Sequence, residues 1–214
     1  MTHCDNQRYQ SLRRSVLRTC LTFVVGIFVV SMSQEVYAHP HLNPPPVPAN
    51  LQVPAGHKVF LVGHAVGTQQ YFCKFSGTSY AWTFFGPQAT LFKDNGKQIL
   101  THFLSPNPWE NGTARATWQD AKDSSTVWAT PIASSSDPAL VEPGAVPWLL
   151  LEVGGDQSGL TDGDYLTRTT FIQRLNTSGG VAPVTGCAAA PDIGAKALVP
   201  YMADYFFYES TDSE

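Results

Sequence analysis

Three groupings of side chains in this sequence have types and spacing that could do chemistry. The first is His102, followed after a proline-rich turn by Trp109 and Glu110. An imidazole, a carboxylate and an indole near one loop would make a polar ligand pocket. The alternative is a core histidine satisfied by the backbone, with Trp109 plugging one end of the fold. The second grouping centres on Asp204, the odd residue in Tyr201-Met-Ala-Asp-Tyr-Phe-Phe-Tyr208, a stretch apolar on both faces. A carboxylate buried there is disfavoured unless it is paired. Arg168 and Arg174, on one face of residues 165–175, are its expected partners in a structural ion pair.

The third grouping is His39-Pro40-His41. If the chain is cut after Ala38, the new terminus at His39 would offer copper an amine and a ring. A second imidazole could then come from His41, His57, His64 or His102, since imidazole suits copper. Against this site, Pro40 lacks the amide that a simple amino-terminal copper site uses, and a proline arm of this kind should be mobile. The expectation is therefore no metal and no other cofactor, with copper on His39, His41 and His64 as the alternative. Asp156, Asp162 and Asp164 crowd one loop and could hold calcium through oxygen ligands, although acids beside glycines commonly just make turns.

Other chemistries lack their signatures. There is no G-x-S-x-G nucleophile elbow, no H-E-x-x-H and no EF-hand loop. Trp109 and Trp148 stand beside proline turns, where an indole can stack on a sugar, whereas Trp82, Trp118 and Trp128 read as core. The candidate ligand-contacting residues are thus His102, Trp109, Glu110 and Trp148.

The elements that must position these residues are strands. Thr113-Ala-Arg-Ala-Thr-Trp-Gln119 alternates so that Ala114, Ala116 and Trp118 share one face and Thr113, Arg115, Thr117 and Gln119 the other, the pattern of a half-buried strand. Asp94-Asn95-Gly96-Lys97 separates two strand-like runs, and Asn-Gly there is a hairpin signal. Further strand patterns fall at 59–62, 71–75, 80–84, 126–130, 148–153, 165–175 and 199–208. Gly86-Pro87, Pro106-Asn-Pro108, Gly154-Gly155 and Gly179-Gly180 read as turn punctuation between them. At most one turn of helix fits, near 192–197. About ten short strands at this spacing argue for a single antiparallel β-sandwich or closed β-barrel.

The whole chain has 214 residues, of which 43% are hydrophobic, 12% aromatic and 14% charged, with a net charge of −4. The aromatic content argues against disorder, and the acidic balance against nucleic-acid binding. Arg13, Arg14 and Arg18 precede an apolar run at 21–30, and Val36-Tyr37-Ala38 follows. That order is a secretory signal peptide over 1–38, and 12–18 also resembles a twin-arginine export motif. The apolar run is about half of what a membrane span needs. Six prolines then mark 39–56 as an extended arm, a β domain follows over 57–210, and 211–214 is an acidic tail. Cys4 and Cys20 leave with the leader, so Cys73 and Cys187 remain. In an oxidising compartment they most simply form one disulfide.

Several motifs also come in a familiar order: Tyr71-x-Cys73, Pro87-x-Ala89-x-Leu91, His102-Phe103 leading to Pro108-Trp109-Glu110, and Pro147-Trp148-Leu-Leu-Leu151. Arg174-x-x-Thr177-x-Gly179-Gly180 before Pro183 and Cys187, and Pro200-Tyr201-x-Ala203-Asp204-Tyr205, complete the series. From about Val53 to Glu209 the chain resembles the secreted bacterial and fungal family catalogued as domain of unknown function thirty-four fifty-five. It departs at Asn111-Gly112-Thr113, where that family tends to carry Asp-Gly-Ser. The resemblance implies no assigned activity. Some fungal members carry a malate dehydrogenase label, but a nicotinamide site needs a glycine-rich turn from strand into helix, and 154–159 lacks that spacing. The function expected is that of a secreted or periplasmic β-domain, a non-enzymatic binding or structural module for an extracellular or envelope ligand, carbohydrate among the candidates. It should bind no nucleic acid and have no membrane span once the leader is cleaved. The alternative is a copper-dependent redox protein using His39.

Overall fold

The computed structural model describes residues 42–212; the leader expected at 1–38, His39 and His41 lie outside the described residues. Eight antiparallel strands form a closed barrel in sequence order: β1 (His57–Phe75), β2 (Tyr80–Phe92), β3 (Gln98–Asn107), β4 (Thr113–Asp120), β5 (Thr126–Ser135), β6 (Trp148–Gln157), β7 (Thr169–Gly179) and β8 (Lys196–Ser210). β8 pairs back onto β1 along nearly its whole length, from His57↔Ser210 to Phe72↔Lys196, and so closes the ring. Of the two expected architectures, the barrel is the one formed.

The strands are fewer and longer than the punctuation suggests. Gly86-Pro87 lies inside β2 and Gly154-Gly155 inside β6. Both sit at register shifts, Gln70/Tyr71 facing Gly86 and Trp128/Ala129 facing Gly155. A barrel strand must coil sharply, and bulges with small residues supply the bend without ending the strand. Gly67 serves the same curvature: a Cβ there would come within 2.2 Å of the Gln88 carbonyl oxygen, so only glycine lets β1 and β2 approach so closely. The expected helical turn near 192–197 is instead a 3-10 turn at Ala190–Asp192, with β8 starting at Lys196.

Alternation divides the side chains between lumen and exterior. Leu61, Leu100, Leu166 and Phe207 fill the lumen at the end where β1 begins. Burying one such side chain contributes roughly 1.5–3 kcal/mol. A second cluster lies on the outside of β6, β7 and β8, where Trp148, Leu150, Leu175, Phe206 and Tyr208 are covered by Leu51, Val47 and Val53. The described part of the proline arm is therefore not loose. Leu51 is fully buried on a 3-10 turn (Ala49–Leu51), and its carbonyl accepts a 2.6 Å hydrogen bond from Gln173 Nε2.

Some ladders stop short of the strand ends. β2 pairs β3 only over Ala89–Phe92 and Gln98–His102, and β4 pairs β5 only from Ala116↔Ala129 to Gln119↔Thr126. Away from the filled end these neighbours part. The Cys73–Cys187 disulfide (Cα–Cα 5.4 Å, 114 residues apart in sequence) pins the 180–195 loop beside that open end. The Tyr71 hydroxyl donates to the Gly180 carbonyl and Trp82 Nε1 to the Thr185 carbonyl, holding the same loop. Trp82 is thereby half-buried against this loop rather than in the core. No helix among the described residues is long and apolar enough to cross a membrane.

Candidate ligand site in the barrel lumen

The expected pocket of His102, Trp109 and Glu110 does not form. β3 sends His102 into the lumen, where it is 3% exposed and stacks on Trp118 at 4.1 Å between ring centroids. Its Nδ1 lies 2.8 Å from the Thr117 carbonyl oxygen. Only an N–H can satisfy a carbonyl, so the free lone pair belongs to Nε2. Burial pushes the imidazole down to a pKa of about 3, leaving it neutral across the physiological range.

Past Asn107 the chain turns outward. Asn107 caps the 3-10 turn Pro108–Glu110 by accepting from Trp109 N at 3.0 Å and donates to Glu110 Oε2 at 2.7 Å. Glu110 is gripped by Arg115 through Nε and Nη2, each at 2.8 Å. The hydrogen bonds from Arg115 and Asn107 pull its carboxyl down to about 2. Trp109 lies 70% exposed over β6, its indole N–H donating to the Asp156 carbonyl at 2.7 Å. The indole rests on Gly155, where a Cβ would come within 2.5 Å of Cδ1. Trp148 is not a surface aromatic. At 3% exposed it is part of the cluster under Leu51, because β6 begins with an outward residue that the arm covers.

Asp204 also has different partners from those expected. It faces outward on β8 opposite His64 of β1. Asp204 Oδ1 lies 2.6 Å from His64 Nδ1, and Oδ2 accepts from Asn176 Nδ2 at 2.7 Å. His64 Nε2 reaches Asp94 Oδ1 at 2.8 Å, so both ring nitrogens are occupied. Partial burial works against charging His64, but the bonds and charges of Asp204 and Asp94 outweigh it and raise the pKa above 6.5. Arg168 pairs with Glu209 at 3.3 Å and lies over the Phe60 ring at 4.2 Å. Among the described residues no group of three or more His, Cys, Asp or Glu is placed to hold a metal ion.

Arg174 points to the site that the sequence does not announce. It stands between Leu149 of β6 and Tyr205 of β8. Its Nε and Nη2 donate to the Pro147 carbonyl at 3.1 and 2.8 Å. No carboxylate among the described residues pairs with it. Its charge acts on Tyr71, His102, Tyr201 and Tyr205 together. Arg174 and Tyr205 line a cavity of about 220 Å³ in the lumen, with Gln69, His102 and Trp118 and a largely apolar remainder including Leu104, Ala116 and Leu151. Two of the lining side chains carry unspent donors: Gln69 Nε2 and Trp118 Nε1 are buried with no hydrogen-bond partner. The Tyr201 hydroxyl feels the Gln69 amide but does not meet it in hydrogen-bond geometry. An unsatisfied buried donor costs about 1–3 kcal/mol, so two in one cavity are a notable expense.

Fold and cavity together define a small, disulfide-linked β-barrel protein with a partly filled lumen. The chain belongs to the family described as protein of unknown function, DUF3455, whose model matches residues 54–209. No curated protein and no solved structure matches it. Nothing supports a malate dehydrogenase activity. Gly154-Gly155 lies within β6, and among the described residues no strand leads through a glycine-rich turn into a helix that could receive a pyrophosphate.

Proposed function

We propose that this protein is an exported, non-enzymatic binding module that takes a small organic molecule into its barrel lumen. The observation that carries this reading is the pair of buried, unpartnered donors, Gln69 Nε2 and Trp118 Nε1, on the wall of an otherwise largely apolar cavity. Eight-stranded barrels have just enough interior to be filled or to hold one small ligand. A 150 Å³ apolar cavity accepts benzene, so 220 Å³ scales to about nine non-hydrogen atoms. At about 0.5–0.8 kcal/mol per atom, such a ligand would bind with a Kd between roughly 5 μM and 0.5 mM. Binding is favoured over catalysis because the lumenal acids and bases are held out of range. Burial lowers His102 to about 3 and raises the Tyr201 and Tyr205 phenols. Export accords with the charged, then apolar start of the chain and with the disulfide.

The test is ligand-observed NMR with ring-sized compounds at millimolar concentration, on the wild type and on Ala116→Leu, which fills the cavity. Saturation transfer that Ala116→Leu abolishes is expected; no binder, or binders indifferent to that substitution, would refute the lumen as the site.

A second reading rests on Trp109, whose exposed face is held flat by its bond to Asp156 and by the Gly155 seat. It borders an open groove with His57, Arg168 and Phe171, and a fixed indole face is what stacks on sugars. The Trp109 indole N–H is already spent on the Asp156 carbonyl, however, which places it second to the lumen. Retention on a glycan array that Trp109→Ala removes would reverse that order.

A further inference from the structure

We infer that the lumenal ligand is a carboxylate with a small apolar body, held by Arg174 together with the Gln69 amide and the Trp118 indole. This rests on the lumen being a binding site and adds the chemical class of its occupant. Apart from the lone pair on His102 Nε2, the buried side-chain groups on the cavity wall that lack a partner are donors. Gln69 Nε2 and Trp118 Nε1, on residues 1% and 0% exposed, have no acceptor. The Arg174 guanidinium, which donates to the Pro147 carbonyl and also acts on the Tyr205 hydroxyl, has no counter-charge among the described residues. A guanidinium in a confined apolar setting is stabilised most by a planar oxyanion that can take two parallel N–H bonds. His102 is neutral, since burial lowers it to about 3, and Arg115, which also lines the cavity, is paired with Glu110, so the site offers one unpaired positive charge. A monoanionic carboxylate balances that charge, whereas a phosphate monoester would leave an excess negative charge in a low-dielectric cavity. Apart from Arg115, the rest of the wall, including Leu104, Ala116, Ala129, Leu149 and Leu151, offers apolar surface to the other end of the ligand.

The experiment compares benzoate, which has the nine non-hydrogen atoms the volume allows, with its neutral near-isosteres benzamide and benzyl alcohol. Each is titrated into the full-length protein by calorimetry, alongside Gln69→Leu, Ala116→Leu and Arg174→Gln. The expected result is benzoate binding at least ten-fold tighter than either neutral probe. Gln69→Leu should weaken it several-fold, and Ala116→Leu should abolish it. Arg174→Gln should abolish benzoate binding, but Arg174 also braces the Pro147 carbonyl, so a second measurement leaves the protein unaltered. The carboxyl of ¹³C-labelled benzoate, titrated by NMR, should have a lower apparent pKa in the complex than free in solution. Neutral probes binding as tightly as benzoate, or a benzoate pKa that rises on binding, would overturn the carboxylate while leaving the lumen as the binding site. Benzoate binding that survives Ala116→Leu, or no binding by any of the three, would overturn both.

Discussion

Replacing Asp204 with Asn tests the electrostatics of the outer wall. The substitution keeps the shape and an acceptor for Asn176 but removes the charge 2.6 Å from His64 Nδ1. A hydrogen bond between charged groups contributes about 1.5–3 kcal/mol when shielded from water. The His64 side chain is 41% exposed, so solvent screening brings the expected cost to about 1 kcal/mol, or about 2–4 °C in Tm for a domain of this size. The cost depends on pH in a defined direction. His64 has a folded pKa raised above 6.5, so its charged pair contributes fully below the unfolded value and is lost as pH rises through the folded one. Urea unfolding of wild type and Asp204→Asn at pH 5 and pH 9 should therefore show the larger difference at pH 5. In a His64→Gln background that pH dependence should disappear. A difference that is equal at the two pH values, or larger at pH 9, would refute the assignment of His64 as the charged partner.

Leu51→Ala should destabilise the fold by about 2–4 kcal/mol in urea unfolding, because Leu51 is fully buried among Trp148, Phe206 and Tyr208; a change under 0.5 kcal/mol would mean that the arm is not part of the folded body. The double variant Cys73→Ser, Cys187→Ser should lose about 2–5 kcal/mol and speed amide exchange across 180–195, read by hydrogen-exchange mass spectrometry. Gly155→Ala should cost about 1–3 kcal/mol and increase acrylamide quenching of Trp109 fluorescence, since a methyl there cannot coexist with the indole where it now lies.

Much of the barrel is legible in the sequence, and the illegible part has physical reasons. The alternation in Thr113–Asp120 places Ala116 and Trp118 in the lumen and Thr117 outside, and Asn95-Gly96 marks the β2–β3 turn. Cys73 and Cys187 pair as expected. Strand number fails because Gly86-Pro87 and Gly154-Gly155 look like breaks when read locally, yet act as bends in strands that one neighbour, β1 for β2 and β5 for β6, pairs on both sides of the bend. Asp204 is matched to the wrong cations because a sequence does not state barrel register, and register places it across from His64. The lumen is hardest to see. Gln69, Trp118, Arg174 and Tyr205 come from four strands scattered over most of the chain, and no short motif joins them. The one available signal is a polar residue at an inward position of an alternating run, as in Ala65-x-Gly67-x-Gln69 and Ile172-x-Arg174.

The parted ladders have a consequence for how copies of this protein behave toward one another. Where β2 leaves β3, and β4 leaves β5, each strand bares a flank of main-chain amides to which a foreign strand could add. Pro87 on β2, Pro106 on β3 and Pro131 on β5 all fall along these bared flanks. A proline has no amide hydrogen to donate, and its ring obstructs an incoming backbone. With only 14% charged residues, the molecule has little electrostatic repulsion to keep its neighbours away. Three well-placed rings discourage edge-to-edge aggregation where charge does not.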